Sequence, residues 1–256
     1  MQLGAPFVEL DFYYDGEDQT AFARLVKTLL ELGATPAGSG LIHKGNAVPF
    51  SWIRDLDLEE VQITQSNIIA FLDHKDPQLL QVDMFDAVGI AGVGAAEVVE
   101  YVEISEDAAR ADHHPLVIYT DGSIFFPILT DRVQQREAAS RQVYRKFLDI
   151  ITNTNPSYAA ITVEAPMKCP FDLNINPESA GFLDFFISEN YVGASNLDLI
   201  RQMYSAAYIE SVGSGLYISC VSDFNPSKVN LRLNTQHIEV GKIVASVGKH
   251  HRDKTQ

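Results

Sequence analysis

Cysteine is scarce in this chain, and long apolar runs are absent from it. The 256 residues include two cysteines, Cys169 and Cys220, which are too few for a disulfide framework. We expect both thiols to be reduced and buried, as free cysteines usually are. No run of 18 apolar residues occurs, and the first residues lack a positively charged region, so the sequence predicts neither a membrane span nor a signal peptide. These absences favour a soluble, cytoplasmic protein of bacterial type.

Basic residues are almost missing from one segment. Residues 54–107 contain 13 of the 34 carboxylates but only two of the 19 Lys and Arg residues, a local charge of −11 in a chain of net charge −15. An acidic block of this kind repels phosphate backbones and attracts cationic surfaces. It is the strongest functional indication in the sequence, and it predicts a basic protein partner.

We expect carboxylates of this block to share one exposed partner-binding surface. The predicted partner-binding residues are Asp55, Asp57, Glu59, Glu60, Glu97, Glu100 and Glu103. The last three stand at a spacing of three residues, which on a helix would spread them over one wide face. The β-branched residues of 95–109 favour a strand instead, and the choice between helix and strand stays open there.

The alternation of apolar residues predicts an α+β fold. The segment 6–14 is typical of a strand, with Glu9 and Asp11 on one face, and a helix follows from Thr20 to Leu32. Another helix is predicted over 131–152. Strands are predicted in LEEVQIT, SNIIAFL, LLQVDMF, PLVIYT, YAAITVEA, GFLDFFISE, LYISCVS, VNLRLN and HIEVGKIVAS. Because helices are few and strands follow one another directly, we expect a mainly antiparallel sheet with about three helices.

Two segments resemble each other closely enough to suggest an internal duplication. Leu10-Asp11-Phe12 matches Leu183-Asp184-Phe185, and each is followed by a helical pattern and a Gly-Ser-Gly-Leu sequence. In the second segment Ser195, with Asp198 three residues on, predicts the start of a helix that continues towards Gly213. We therefore expect a single α+β domain over 1–256, or two similar halves (1–130 and 131–248), with 249–256 as a flexible tail.

No catalytic or cofactor motif is present. Residues 92–97 begin like a dinucleotide fingerprint, but Glu97 stands where the motif needs a small residue. The metal-ligand types in 112–114 and 73–74 are adjacent, and neighbouring residues of a strand point to opposite faces. Cys169 follows a lysine, but no base is identifiable for it. We therefore predict no cofactor, no metal site and no catalytic residue.

Three functions remain open at this point. The favoured one is a non-enzymatic protein that docks or neutralises a basic protein, such as an immunity-type inhibitor of a bacterial toxin. The second is a hydrolase or transferase with a carboxylate-based site, which would need two of the carboxylates that flank the C-terminal strands to converge. These candidates are Glu164, Asp172, Asp184 and Asp223. The third is a structural or assembly subunit, which includes a homo-oligomer.

Nucleic acid is not expected among the partners. The basic residues of the 131–152 helix divide between two faces about half a turn apart, so they form no stripe that could follow a phosphate backbone. Binding to a polyanion depends on a clustered set of Lys and Arg residues.

Overall fold

The protein has an α+β fold, described here from a computed structural model. The described residues are 6–16, 18–44, 58–74, 76–90, 94–125, 133–179, 183–220, 222–228 and 234–255. This part of the chain forms one ten-stranded antiparallel sheet and eight α-helices. The predicted fold class is therefore confirmed, whereas the expectation of about three helices is wrong.

The elements alternate irregularly along the chain. The strands are β1 (Phe7–Tyr13), β2 (Thr35–His43), β3 (Leu58–Ile63), β4 (Gln78–Phe85), β5 (Glu97–Tyr101), β6 (Leu116–Asp121), β7 (Tyr158–Val163), β8 (Asp184–Ser188), β9 (Ile209–Val212) and β10 (Gly215–Ser219). The helices are α1 (Asp18–Glu31), α2 (Ile68–Asp73), α3 (Glu106–Ala111), α4 (Val133–Thr154), α5 (Pro170–Ile175), α6 (Glu189–Val192), α7 (Ala194–Met203) and α8 (Asn234–Thr255). None of the helices in the described ranges is long and apolar enough to cross a membrane.

The strand order is β3-β2-β4-β5-β6-β1-β7-β8-β10-β9, and every neighbouring pair is antiparallel. The first strand of the chain thus lies in the middle of the sheet, between β6 and β7. Side chains of a strand alternate between the two faces of the sheet, so each face of β1 meets a different environment.

One face of the sheet, here called the helix side, packs against α1 and α4. Val8, Leu10 and Phe12 of β1 point to this side and are fully buried. The ring of Phe12 lies 5.6 Å from that of Phe147 in α4. The apolar stripe of α1 joins the same core, as its helical spacing predicts.

The opposite face is divided into two halves. Over β7, β8 and β10 it carries a second apolar core, to which α5, α7 and α8 contribute Leu173, Ile200 and Val244. Over β6, β5 and β4 it carries Tyr119, Glu100, Gln81 and Asp83 together with Val117 and Val98. The candidate site lies at the boundary between the two halves, along which β1 runs.

The C-terminal segment departs from the strand that its sequence predicts. HIEVGKIVAS belongs to the 22-residue helix α8, which also includes 249–255 of the predicted tail. The β-branched residues favour a strand locally, but Val240 and Val244 are four residues apart and both are buried in the second core. Gly248 lies so close to α5 that a Cβ atom built on it would be 2.5 Å from Cβ of Pro170. Tertiary packing of one helical face therefore overrides the local preference.

Two further elements differ from prediction. SNIIAFL contributes α2 rather than a strand, with Ile68 buried at its start. Helix α7 begins at Ala194, with Gly193 in the capping position, so Ser195 lies inside the helix. The same helix ends at Met203, well before Gly213. The predicted strand VNLRLN falls mostly on residues outside the described ranges.

The predicted duplication is not supported. In the first segment, three strands separate β1 from β2, whereas in the second segment β8 and β10 are paired directly. Asp11 points away from the helix side, but Asp184 pairs in register with Ile161 on the helix side. The similar residues therefore occupy different environments, as expected when short strand-helix patterns converge by chance.

Candidate functional site

Two acidic residues of the central strand point to the polar half of the sheet. Glu9 and Asp11 alternate with the apolar residues of β1 and therefore leave the helix side. In β6 their antiparallel partners are Tyr119 and Val117, and Val117 is in turn paired with Glu100 of β5. Residues paired in this way lie on the same face, so Glu100 belongs with Glu9 and Asp11.

The same face carries two more carboxylates on the next strands. Asp83 of β4 pairs with Val98, which pairs with Tyr119. Gln81 pairs with Glu100, and Leu41 of β2 connects Gln81 with Glu60 of β3. Five carboxylates of β1, β3, β4 and β5 therefore share this surface, which we call the acidic face. They are Glu9, Asp11, Glu60, Asp83 and Glu100.

The acidic face becomes more buried from β3 towards β1. Glu60 is exposed, and Asp83 and Glu100 are half-buried. Glu9 is only 1% exposed and Asp11 is fully buried. Two carboxyl groups therefore lie beneath a surface that reaches solvent on its β4 and β5 side.

Hydrogen bonds satisfy only part of the buried pair. The hydroxyl of Thr162 donates to Oδ2 of Asp11 at 2.9 Å, and the amide of Met167 donates to the same oxygen at 3.3 Å. Oδ1 of Asp11 has no hydrogen-bond partner among the described residues, and the Ala165 amide and the Thr162 hydroxyl reach Glu9 without full hydrogen-bond geometry. A buried carboxyl group that is poorly paired costs free energy, which makes this pair unusual.

Burial and neighbouring charge raise the pKa of both groups. Burial raises the pKa of Glu9 from its ordinary 4.5 to about 7, and the charge of Glu164 adds to the rise. The Ala165 amide, the Thr162 hydroxyl and the charge of Lys168 lower that pKa in part. The pKa of Asp11 is raised well above its ordinary value, first by burial and then by the charge of Glu9.

The pKa values of Glu100 and Tyr119 are raised by the same group of neighbouring negative charges. Burial raises the pKa of Glu100 to about 7, and repulsion from Asp83 and Glu9 contributes. The pKa of Tyr119 is raised by burial and then by Glu100, Glu9 and Asp11. These carboxyl groups therefore act on one another across three strands.

This arrangement favours a positive charge beside it. Like charges that share a buried site resist ionisation, and a cation within about 4–6 Å restores the ionised form. Lys168 is half-buried and lowers the pKa of both Glu9 and Asp11, but it leaves both pKa values raised. The acidic face can therefore accept a cationic group or hold protons near neutral pH.

The structure separates the acidic residues that the sequence predicts to share one surface. Glu60 and Glu100 lie on the acidic face. Glu59 points to the other side of edge strand β3 and forms an ion pair with Lys44 at 2.7 Å. Glu103 is exposed just beyond the end of β5. The predicted residues Asp55 and Asp57 lie outside the described ranges.

Glu97 is a buried residue with a structural role and does not lie on the surface. It is 4% exposed and points to the helix side of β5. Its carboxylate accepts hydrogen bonds from the Val88 amide at 2.9 Å and the Thr120 hydroxyl at 3.0 Å. These bonds hold the 86–90 loop, so Glu97 is not available to a partner at the surface. The strand conformation explains this, because residues 97 and 100 of one strand face opposite sides.

The other residues that the sequence suggests for catalysis or metal binding make local structural contacts instead. The Cys169 thiol donates to Asp172 at 3.3 Å, and burial raises the pKa of that thiol, which opposes a thiolate nucleophile. Asp112 accepts a hydrogen bond from the Tyr13 hydroxyl, and His114 is buried against the Val102 carbonyl. Within the described ranges, no group of three or more His, Cys, Asp or Glu residues is placed to hold a metal ion.

The carboxylates near the C-terminal strands do not converge. Asp184 lies on the helix side, where the hydroxyls of Tyr217 and Ser219 donate to it. Asp172 is in α5 on the opposite face, and Glu164 is exposed. The convergence that acid–base chemistry requires is instead found in Glu9, Asp11 and Glu100.

The sequence pattern places Glu9 and Asp11 on one face of a strand, but no role is predicted for them from it. A signal was available, because two carboxylates alternate with fully apolar positions in the strand that begins the fold. Their partner Glu100 is about 90 residues away in sequence, and only the pairing of β1 and β5 with β6 brings the three together.

Comparisons with known proteins give little further information. No family model matches the chain, and no curated protein matches it. Among solved structures, a Pseudomonas aeruginosa T6SS protein is similar, with a TM-score of 0.42 and 8% sequence identity. The match covers 84% of this chain and 65% of that chain, so this chain spans less than two thirds of that protein's length. A likeness this distant does not indicate a function.

Proposed function

We propose that this chain is a non-enzymatic binding protein that docks a basic protein partner on its acidic face. An immunity-type inhibitor that neutralises a bacterial toxin is a protein of this kind. We place it in the cytoplasm, and this is supported by the unbonded state of Cys169 and Cys220, since disulfides are rare in reducing compartments.

One observation carries the proposal. Five carboxylates of β1, β3, β4 and β5 lie on one face of the sheet, and burial and mutual repulsion raise the pKa of Glu9 and of Glu100 to about 7. A basic surface placed against this face would relieve that repulsion and would also steer the encounter from a distance. The acidic block of the sequence supplies the long-range field, and the face supplies the place of contact.

Capture by the immobilised protein tests this proposal. A variant with Glu60→Gln, Asp83→Asn and Glu100→Gln serves as the matched bait, because it keeps the shapes of the side chains and removes their ability to carry negative charge. We expect a captured protein that is basic, that elutes at raised salt and that is depleted on the variant. Capture that is equal on both baits, or a partner without a basic surface, would contradict the proposal.

Acid–base catalysis is the second candidate, and a specific observation favours it. The pKa values of about 7 for Glu9 and Glu100 suit a general acid or base at neutral pH. A screen with ester, peptide and glycoside substrates tests it. Turnover that is lost in Glu9→Gln and Glu100→Gln but kept in Glu31→Gln, an exposed residue of α1, would support catalysis. Equal rates in all four proteins would oppose it.

A further inference from the structure

We propose that a cavity at one end of the sheet is a binding site for a free α-amino acid. The cavity has a volume of about 280 Å³ and lies where β1 and β8 end and β7 begins. This inference goes beyond the proposed function, because it concerns a small-molecule site whose residues do not belong to the acidic face.

Backbone hydrogen bonds fix the wall of this cavity. The Ser157 amide donates to the Tyr13 carbonyl at 2.8 Å, and the Ser188 amide donates to the Ser157 carbonyl at 3.0 Å. These bonds join the end of β1, the start of β7 and the end of β8. Ser157 and Ser188, which both line the cavity, therefore have defined positions in its wall, as a binding site requires.

The hydroxyl groups of these two serines are available as hydrogen-bond donors. The Asp15 amide donates to Oγ of Ser157 at 2.9 Å, and the Asn190 amide donates to Oγ of Ser188 at 3.2 Å. Each hydroxyl keeps its own proton to donate, and no acceptor for that proton is found among the described residues. Because Ser188 is only 1% exposed, its unused donor is costly until a ligand oxygen accepts from it.

Arg24 of α1 adds a positive charge to the same cavity. Its guanidinium carbon lies 4.6 Å from the centre of the Tyr14 ring, which is a cation–π contact. Tyr14 is buried, and its hydroxyl donates to Thr154 at 2.8 Å, so the ring is a fixed support for the arginine. No ion pair or hydrogen bond of Arg24 is found in the described part of the chain. Its planar fork of donors can therefore bind a carboxylate through two hydrogen bonds.

Asp15 determines which class of carboxylate fits. It is exposed and lines the cavity together with Arg24, but the two side chains form no ion pair with each other. The Asp15 carboxylate repels a dianion such as phosphate and attracts an ammonium group. A carboxylate accepts several hydrogen bonds, so Asp15 can accept from an ammonium group in addition to its contacts within the protein. A free α-amino acid carries both charges on one carbon and is small enough for a cavity of this volume.

NMR titration of the ¹⁵N-labelled wild-type protein tests the inference. Each of the standard L-amino acids is added up to ~10 mM, and we expect at least one to give saturable shifts of the Asp15, Ser157 and Asn190 amide resonances. The N-acetyl and methyl ester forms of that amino acid should bind at least about tenfold more weakly, because each lacks one of the two charges. The absence of a saturable shift with every amino acid would overturn the inference. Equal binding of the N-acetyl form or of inorganic phosphate would also overturn it.

Variants assign the two charges of the ligand to their partners. Arg24→Gln should weaken binding at least about tenfold, whereas Arg145→Gln, at an exposed arginine of α4 outside this cavity, should leave it unchanged. Asp15→Asn should remove the preference for the free amino acid over its N-acetyl form, which a general loss of structure would not do selectively. Undiminished binding to Arg24→Gln, or a preference that survives in Asp15→Asn, would overturn the inference.

Discussion

Replacing Glu9 by glutamine should stabilise the protein, and the gain should grow with pH. The side chain is 1% exposed, and the Ala165 amide and the Thr162 hydroxyl offset only part of the cost of burying its charge, so ionisation is resisted in the folded state. Because the folded pKa of about 7 lies above the ordinary 4.5, the folded state binds more protons than the unfolded state between these values. Stability is therefore lost as the pH rises through this window.

The expected gain in the free energy of unfolding follows from the shift in the pKa of Glu9 on folding. Two and a half pKa units correspond to about 3 kcal/mol at 1.36 kcal/mol per unit, and most of this develops between pH 5 and pH 8. Glutamine has no such charge, so Glu9→Gln should gain about 2–3 kcal/mol relative to wild type over that range. In a chain of this length the gain corresponds to a rise in Tm of roughly 5–10 °C. Relief of the repulsion on Asp11 and Glu100 acts in the same direction.

Urea unfolding at pH 5, 6, 7 and 8 measures this dependence. The exposed Glu31→Gln variant is the control and should differ from wild type by less than about 0.5 kcal/mol at every pH. A constant difference between Glu9→Gln and wild type across the pH range would refute the reasoning, since it would show that Glu9 does not change its proton affinity on folding.

Three other outcomes are expected. Thr162→Val should destabilise the fold by about 1–3 kcal/mol in urea unfolding, because it removes a donor to the buried Asp11, and Thr162→Ser should restore most of the loss. Gly248→Ala should lower Tm, since the new Cβ would lie 2.5 Å from Cβ of Pro170 and this clash outweighs the higher helix propensity of alanine. A raised Tm would show that α8 packs less closely on α5. Single- and double-stranded oligonucleotides should not bind at ~150 mM salt in an anisotropy titration, and micromolar binding would contradict the electrostatic interpretation.

The parts of the fold that the sequence predicts well are those governed by local periodicity. The strand that begins at Phe7, helix α1 and helix α4 follow from the spacing of their apolar residues, and the structure has them within a few residues of the predicted bounds. Helix α8 was missed because Ile243 and Val244 favour a strand locally, while the contact of Gly248 with α5 is a tertiary feature.

The candidate site was predictable only in part. Alternation places Glu9 and Asp11 on one face of β1, and the acidic block contains Glu60 and Glu100. Nothing in the sequence gives the strand order that brings these residues to one surface. The burial of Glu97 also depends on which face of β5 meets the helices, and a spacing of three residues does not reveal it.

The association rate of the captured partner tests the central claim most directly. Raising the salt concentration from ~50 to ~500 mM should lower the association rate constant of the wild-type protein at least about tenfold. Glu60→Lys combined with Asp83→Asn should slow association at low salt and flatten its salt dependence, whereas Asp149→Lys, on the exposed side of α4, should have a much smaller effect. An association rate that is indifferent to salt, or equally affected by both variants, would contradict docking on the acidic face.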